Sequence, residues 1–124
     1  MKVTGDLRRR IIEALGDPEA QQMLSSVIHE SKTSSSIAKE IGLPPSTVYR
    51  KIGQLRECGL LLVDRFLIGP EGKREALYTC AFTEIRFKTE AKEIELEITL
   101  SQRALEKRWF EFFFSKTEPP DWQP

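Results

Sequence analysis

An α+β fold is expected for this 124-residue chain, on three observations. Apolar residues at helical spacing dominate the first half, strict apolar–charged alternation takes over in the second, and glycine or proline marks most of the changes. The segment from Ser34 to Leu61, SSSIAKEIGLPPSTVYRKIGQLRECGLL, is the most telling. Two short helical patterns there are broken between Gly42 and Pro45 and closed by Gly59. Two extended runs around a Gly/Pro turn follow directly. Together these lay out a winged helix-turn-helix, a three-helix core plus β-wing, extended by a β-hairpin and a C-terminal aromatic helix.

In chain order, the first helix is expected from Asp6 to Leu15, with Asp6 as cap and Leu7, Ile11, Ile12 and Leu15 inward. Gly16 stops it. Asp17-Pro18-Glu19 then restarts the pattern, with a capping acid, a proline at the first helical position and an acid suited to the helix dipole. Ala20, Met23, Leu24, Val27 and Ile28 follow at core spacing, and His29 would end this second helix. Arg8, Arg9 and Arg10 either touch nucleic acid or solvate a short helix, and the pattern leaves both readings open.

In the third helix Ile37 and Ile41 share a face, and Ala38 is small where the next helix crosses. Gly42 can take the left-handed conformation that ends a helix. Pro44 and Pro45 fit only a first turn, whose N–H groups lack intrahelical partners. A recognition helix is therefore expected over residues 45–58. Val48, Ile52 and Leu55 form its buried stripe; Ser46, Arg50, Gln54 and Glu57 point away, with Thr47, Tyr49, Lys51 and Gly53 on the flanks. Any surface helix has a polar outer face. This one carries Arg, Gln, Tyr, Ser and Thr, groups that reach base edges and phosphates in a major groove.

Leu60 to Ile68 is β-rich, Gly69 to Arg74 is turn chemistry, and Glu75 to Phe82 is extended again. This wing, about residues 65–75, carries Arg65, Lys73 and Arg74, placed to meet a phosphate backbone or minor groove. A hairpin tip is also charged simply for solubility. Further on, Ile85 and Phe87 alternate with Arg86 and Lys88, and Ile94, Leu96, Ile98 and Leu100 alternate with glutamates and Thr99. Such alternation marks strands with one wet and one buried face, and their opposite charges suit cross-strand pairing.

Ser101 can cap a closing helix, SQRALEKRWFEFFFSK, with Leu105, Trp109 and Phe112 or Phe113 on one face. Its aromatics either close the monomer's own core or form a symmetric interface. The second is favoured, because a two-fold protein of this layout reads two half-sites about one helical turn apart. The organisation expected is a DNA-binding unit over 1–82, a hairpin and helix for dimerisation over 83–116, and a flexible tail over 117–124.

Composition sets bounds. The chain is 40% hydrophobic and 31% charged, enough for a core without disulfides. No apolar run is long enough for a membrane span and no signal-peptide core is present, so a cytoplasmic location is expected. Cys58 and Cys80 read as isolated packing thiols. The formal net charge is +0, but it is unevenly spread. From Lys32 to Arg74 eight basic residues face four acidic ones, and Glu84, Glu90, Glu93, Glu95 and Glu97 compensate downstream. A single histidine, no Ser/His/Asp set and no phosphate-cradling glycine loop argue against an enzyme, a metal site or a cofactor. Double-stranded DNA is the partner expected, with a homodimer as the working form. A winged helix that instead binds protein within the transcription machinery is the alternative.

The stretches IAKEIGLPPSTVYRKIGQLRECGLL, FLIGPEGKREALY and EIRFKTEAKEIELEITL resemble archaeal winged-helix regulators grouped with the ArsR-like family. The resemblance covers about Asp17 to Leu100. It implies a dimeric DNA-binding transcription regulator, with Ser46, Thr47, Tyr49 and Arg50 matching recognition-helix positions. The chain departs from that family's metal sensors, since Cys58 has no neighbouring cysteine and His29 stands alone. No metal is expected, and the resemblance names no effector.

Overall fold

Local punctuation and a few long-range hydrogen bonds decide where each element stops. The computed structural model describes residues 1–89, 92–109 and 111. Its order is β1 (Lys2–Val3), α1 (Gly5–Leu15), α2 (Pro18–Ser26), α3 (Ser34–Ile41), α4 (Pro45–Glu57), β2 (Leu61–Ile68), β3 (Arg74–Cys80), β4 (Phe82–Lys88), β5 (Glu95–Leu100) and α5 (Gln102–Glu106). This is the α+β arrangement expected, with helices first and antiparallel strands after.

The helix starts follow side-chain chemistry. Asp17 accepts from the Glu19 N–H at 3.1 Å to cap α2, and Thr33 accepts from Ser36 N–H at 3.2 Å to cap α3. At α1 the expectation fails. Thr4 holds the cap position, and Asp6 lies inside the first turn, ion-paired with Arg9 and Arg10. Gly42 closes α3 at φ 73°, its N–H donating to Ala38 O at 2.9 Å. After α4 the Leu60 N–H reaches back to Leu55 O at 3.0 Å, turning the chain into β2.

Helix α2 ends earlier than its apolar spacing suggested, because β3 claims the next residues. The Val27 carbonyl accepts from the Thr79 hydroxyl and the Cys80 N–H, and Lys32 exchanges two backbone bonds with Tyr78. Ile28 is thereby turned outward to 52% exposure, and His29 lies beyond the helix in solvent. Ile12, also expected inside, is exposed, whereas Leu7 and Ile11 are buried.

The strands form two sheets. β2 pairs antiparallel with β3, with a register shift at Asp64, and this hairpin is the wing. The second sheet has the order β1-β5-β4, so residues 2–3 and 82–100 share it. Phe82 therefore opens β4 and does not end β3. Lys88 pairs with Glu97 at 3.0 Å across the strands, as the charge pattern implied. Leu96 and Ile98 of this sheet join Val3, Leu7, Ile11 and the helix-turn-helix residues in a single core.

α5 is capped by Ser101, which accepts from Ala104 N–H at 3.1 Å. It stops at Glu106, because Arg108 takes φ 58° and Trp109 N–H returns to Ala104 O. The Trp109 indole then donates to Gly59 O at 2.9 Å, underpinning the turn between α4 and β2. Trp109 thus packs on its own core, while Leu105 is exposed. Phe112, Phe113 and the tail over 117–124 lie outside the described residues.

Candidate nucleic-acid interface

The buried side of α4 is set by Val48, Ile52 and Leu55, none more than 2% exposed. Helical geometry then fixes what faces outward. Ser46, Tyr49, Arg50, Gly53, Gln54 and Glu57 recur at three- and four-residue steps and are all exposed, with Tyr49 at 71%. Thr47 is half-buried on the flank. The proline pair opens this helix without a side-chain cap, leaving its first N–H groups outside the intrahelical ladder.

Gly53 sits in the middle of that outward face rather than on the flank that its spacing predicts. A Cβ there would meet nothing within 4 Å. Its backbone therefore has no packing reason to be bare, and a mid-helix glycine costs about 0.5–1 kcal/mol relative to alanine. Gly53→Ala should raise the melting temperature. If a phosphate backbone approaches this face closely, the same change should weaken DNA binding. Thermal melts and DNA titrations on the one variant read both signs.

Lys51 departs from the interface expected of it. It is only 8% exposed, and its ammonium pairs with Asp17 and with Glu19 at 3.4 Å. Position 51 lies one turn from both Val48 and Leu55, so its aliphatic stem shares the buried stripe and its amine emerges at the start of α2. The hydrogen bond from Lys51, against the opposing effect of burial, holds the Asp17 carboxyl below its ordinary range; the same bond holds Lys51 above its own.

Both shifts stabilise the fold around neutrality. The Asp17 share is lost as pH falls through its depressed pKa, and the Lys51 share as pH rises through its raised one. Lys51→Met keeps the stem and removes the charge. It should cost roughly 1 kcal/mol at neutral pH, and the gap to wild type should close in acid melts.

On the wing, Arg65, Lys73 and Arg74 are all exposed. Arg74 lies over the Phe66 ring at 4.3 Å, and Arg65 pairs with Asp64 at 3.1 Å. Asp64 itself was missed by sequence reasoning. It is buried at the β2 register shift and accepts from Ser31 at 2.7 Å and from Arg103 of α5. Burial pushes its carboxyl up, but those bonds outweigh it and hold the group below the usual range. An acid directly before a wing arginine, with a register shift beside it, has no periodic signature.

The N-terminal arginines all have intramolecular roles. Arg8 donates to Ile94 O at 2.8 Å, Arg9 pairs with Asp6 and Glu13, and Arg10 pairs with Asp6 and Glu57. Cys58 and Cys80 are buried, and burial pushes the Cys58 thiol up to about 11, so it stays protonated at neutral pH. Among the described residues no group of three His, Cys, Asp or Glu is placed to hold a metal ion, and no helix is long and apolar enough to cross a membrane.

Residues 6–64 match the family model of a helix-turn-helix domain. That span runs from α1 into the first half of β2, so it contains the whole outward face of α4 but not the wing's tip or second strand. Comparison with curated proteins gives no match. Among solved structures, the chain is similar to the homodimeric winged helix-turn-helix DNA-binding domain of a possible ArsR-family transcriptional regulator from Mycobacterium bovis. Identity is 25% and the TM-score 0.51, over 61% of this chain and 65% of that one. The chain therefore spans about two-thirds of the length of that domain structure. NolR from Sinorhizobium fredii matches at 13% identity and a TM-score of 0.43, over 91% of this chain and 88% of that one.

Proposed function

We propose that this chain is an ArsR-like transcription regulator that binds double-stranded DNA in the cytoplasm as a homodimer. Its α4 reads the major groove and its wing meets the backbone or minor groove. One observation carries the reading: the fold leaves Ser46, Tyr49, Arg50 and Gln54 in solvent along one edge of the second helix of a helix-turn-helix. Those side chains offer donors and acceptors to base edges, and Lys73 and Arg74 offer cations to phosphates. The bare Gly53 between them lets the helix axis come close. The likeness to a homodimeric DNA-binding domain supports the same reading.

Titration of the protein against DNA from its own upstream region, by fluorescence anisotropy at two salt concentrations, tests it. If about four phosphates are contacted, affinity should fall about a hundredfold between 50 and 200 mM salt. Weak, salt-insensitive binding would move the assignment to a winged helix that binds protein. The exposed Phe66, Leu67 and Ile68 of β2 are the observation favouring that second reading.

A further inference from the structure

β4 is the outer strand of the β1-β5-β4 sheet. Its residue Ile85 lies opposite Ile98 of β5, and the Ile98 N–H turns the other way, donating to the Met1 carbonyl at 2.7 Å. Ile98 and Ile85 therefore form a non-hydrogen-bonded pair, which forces the N–H and C=O of Ile85 to point out of the sheet edge. Phe87, two residues on, points the same way. No backbone group of the described residues meets that outer side.

The side chains at this edge are cut off in the same manner. Ile85 and Phe87 continue the row of Leu96 and Ile98, which are fully buried, yet Phe87 is 50% exposed and neighbouring Ile94 51%. On the other face Glu84 and Arg86 stand in solvent, paired with each other at 2.7 Å, with Arg86 opposite Glu97 of β5.

We propose that β4 pairs antiparallel with β4 of a second copy of this chain, about a two-fold axis at Ile85, fusing two three-stranded sheets into one of six strands. Ile85 then exchanges both backbone bonds with the partner's Ile85. Glu84 comes opposite the partner's Arg86, and Arg86 opposite the partner's Glu84, so the charge pattern of one strand is its own complement. Moving the axis one residue, to Arg86, would keep the outward backbone groups in the contact but set two guanidiniums against each other. The apolar margin of Phe87 and Ile94 would gain cover from the partner strand.

This rests on the reading of the chain as a dimer, and it names the surface. Its test needs no DNA, so Arg50→Ala, which removes a proposed base contact, should remain a dimer; failure of the DNA reading would leave the interface standing.

Sedimentation equilibrium on the full chain should give a dimer. Glu84→Arg, an exposed change opposite Thr99 that also removes the ion pair to Arg86, should weaken that dimer about tenfold or more, and Glu84→Arg/Arg86→Glu, which keeps that pair, should restore it to within about threefold. Glu84→Cys/Arg86→Cys should cross-link under mild oxidation, because residues opposed in a non-hydrogen-bonded pair, with Cα atoms about 4.5 Å apart, suit a disulfide, while native Cys58 and Cys80 are buried. A monomeric wild type at micromolar concentration overturns the proposal. So does a dimer indifferent to both β4 changes, and so does one lost in Phe113→Ala but retained in Glu84→Arg.

Discussion

Leu55→Ala should destabilise the fold by about 2–5 kcal/mol, the largest effect of any single change considered for α4. Leu55 is 1% exposed and lies where α4 meets the rest of the core; its carbonyl also receives the Leu60 N–H that turns the chain into β2. Removing three carbons there leaves a void bounded by α4 and its neighbours, and a tightly packed interior recovers only part of that loss. Small domains have about 5–15 kcal/mol in hand, so urea denaturation should show the midpoint falling sharply with little change in slope. A variant as stable as wild type would mean that α4 is not seated as described.

Arg50→Ala should leave stability unchanged and cost about 1–3 kcal/mol of DNA affinity if Arg50 reads a base. Arg50 is exposed and forms no ion pair among the described residues, so the fold loses nothing with it. Loss confined to the preferred sequence marks a base contact, whereas equal loss on all sequences, with a shallower salt dependence, marks a phosphate contact. Unaltered binding to every DNA would remove α4 from the interface. Paired with Leu55→Ala, the experiment separates the face that holds the helix from the face that is proposed to act.

The helix-turn-helix was legible because its signals are local. Gly42, Pro44, Pro45 and Gly59 mark boundaries by steric rules that need no tertiary contact, and Val48, Ile52 and Leu55 repeat within one helix. What stayed hidden depended on distant partners. Val27 reads as one more helical core residue until β3 takes its carbonyl, and Ile28 then turns out with it. Lys51 reads as polar, although four methylenes precede its amine and the carboxylates that receive it lie at the start of another helix. β1 has two residues, too few for any period, and Trp109 reads as helical until Arg108 reverses the backbone. In the candidate interface the outward edge of α4 was legible from spacing alone. The bare middle at Gly53 and the buried Asp64 behind Arg65 were not, because each is defined by what surrounds it.

Strand β1 carries a consequence for how the molecule assembles. Lys2 and Val3 find their partners in Glu97 and Leu96, about three-quarters of the chain away. The helices in between can form from nearby contacts, but the seam joining β1 to β5 must wait until β5 has been synthesised and laid down, and closing so long a loop carries an entropic cost. Closure of this seam should come last in refolding, and pulling the ends apart should open it first, with the helical middle still intact.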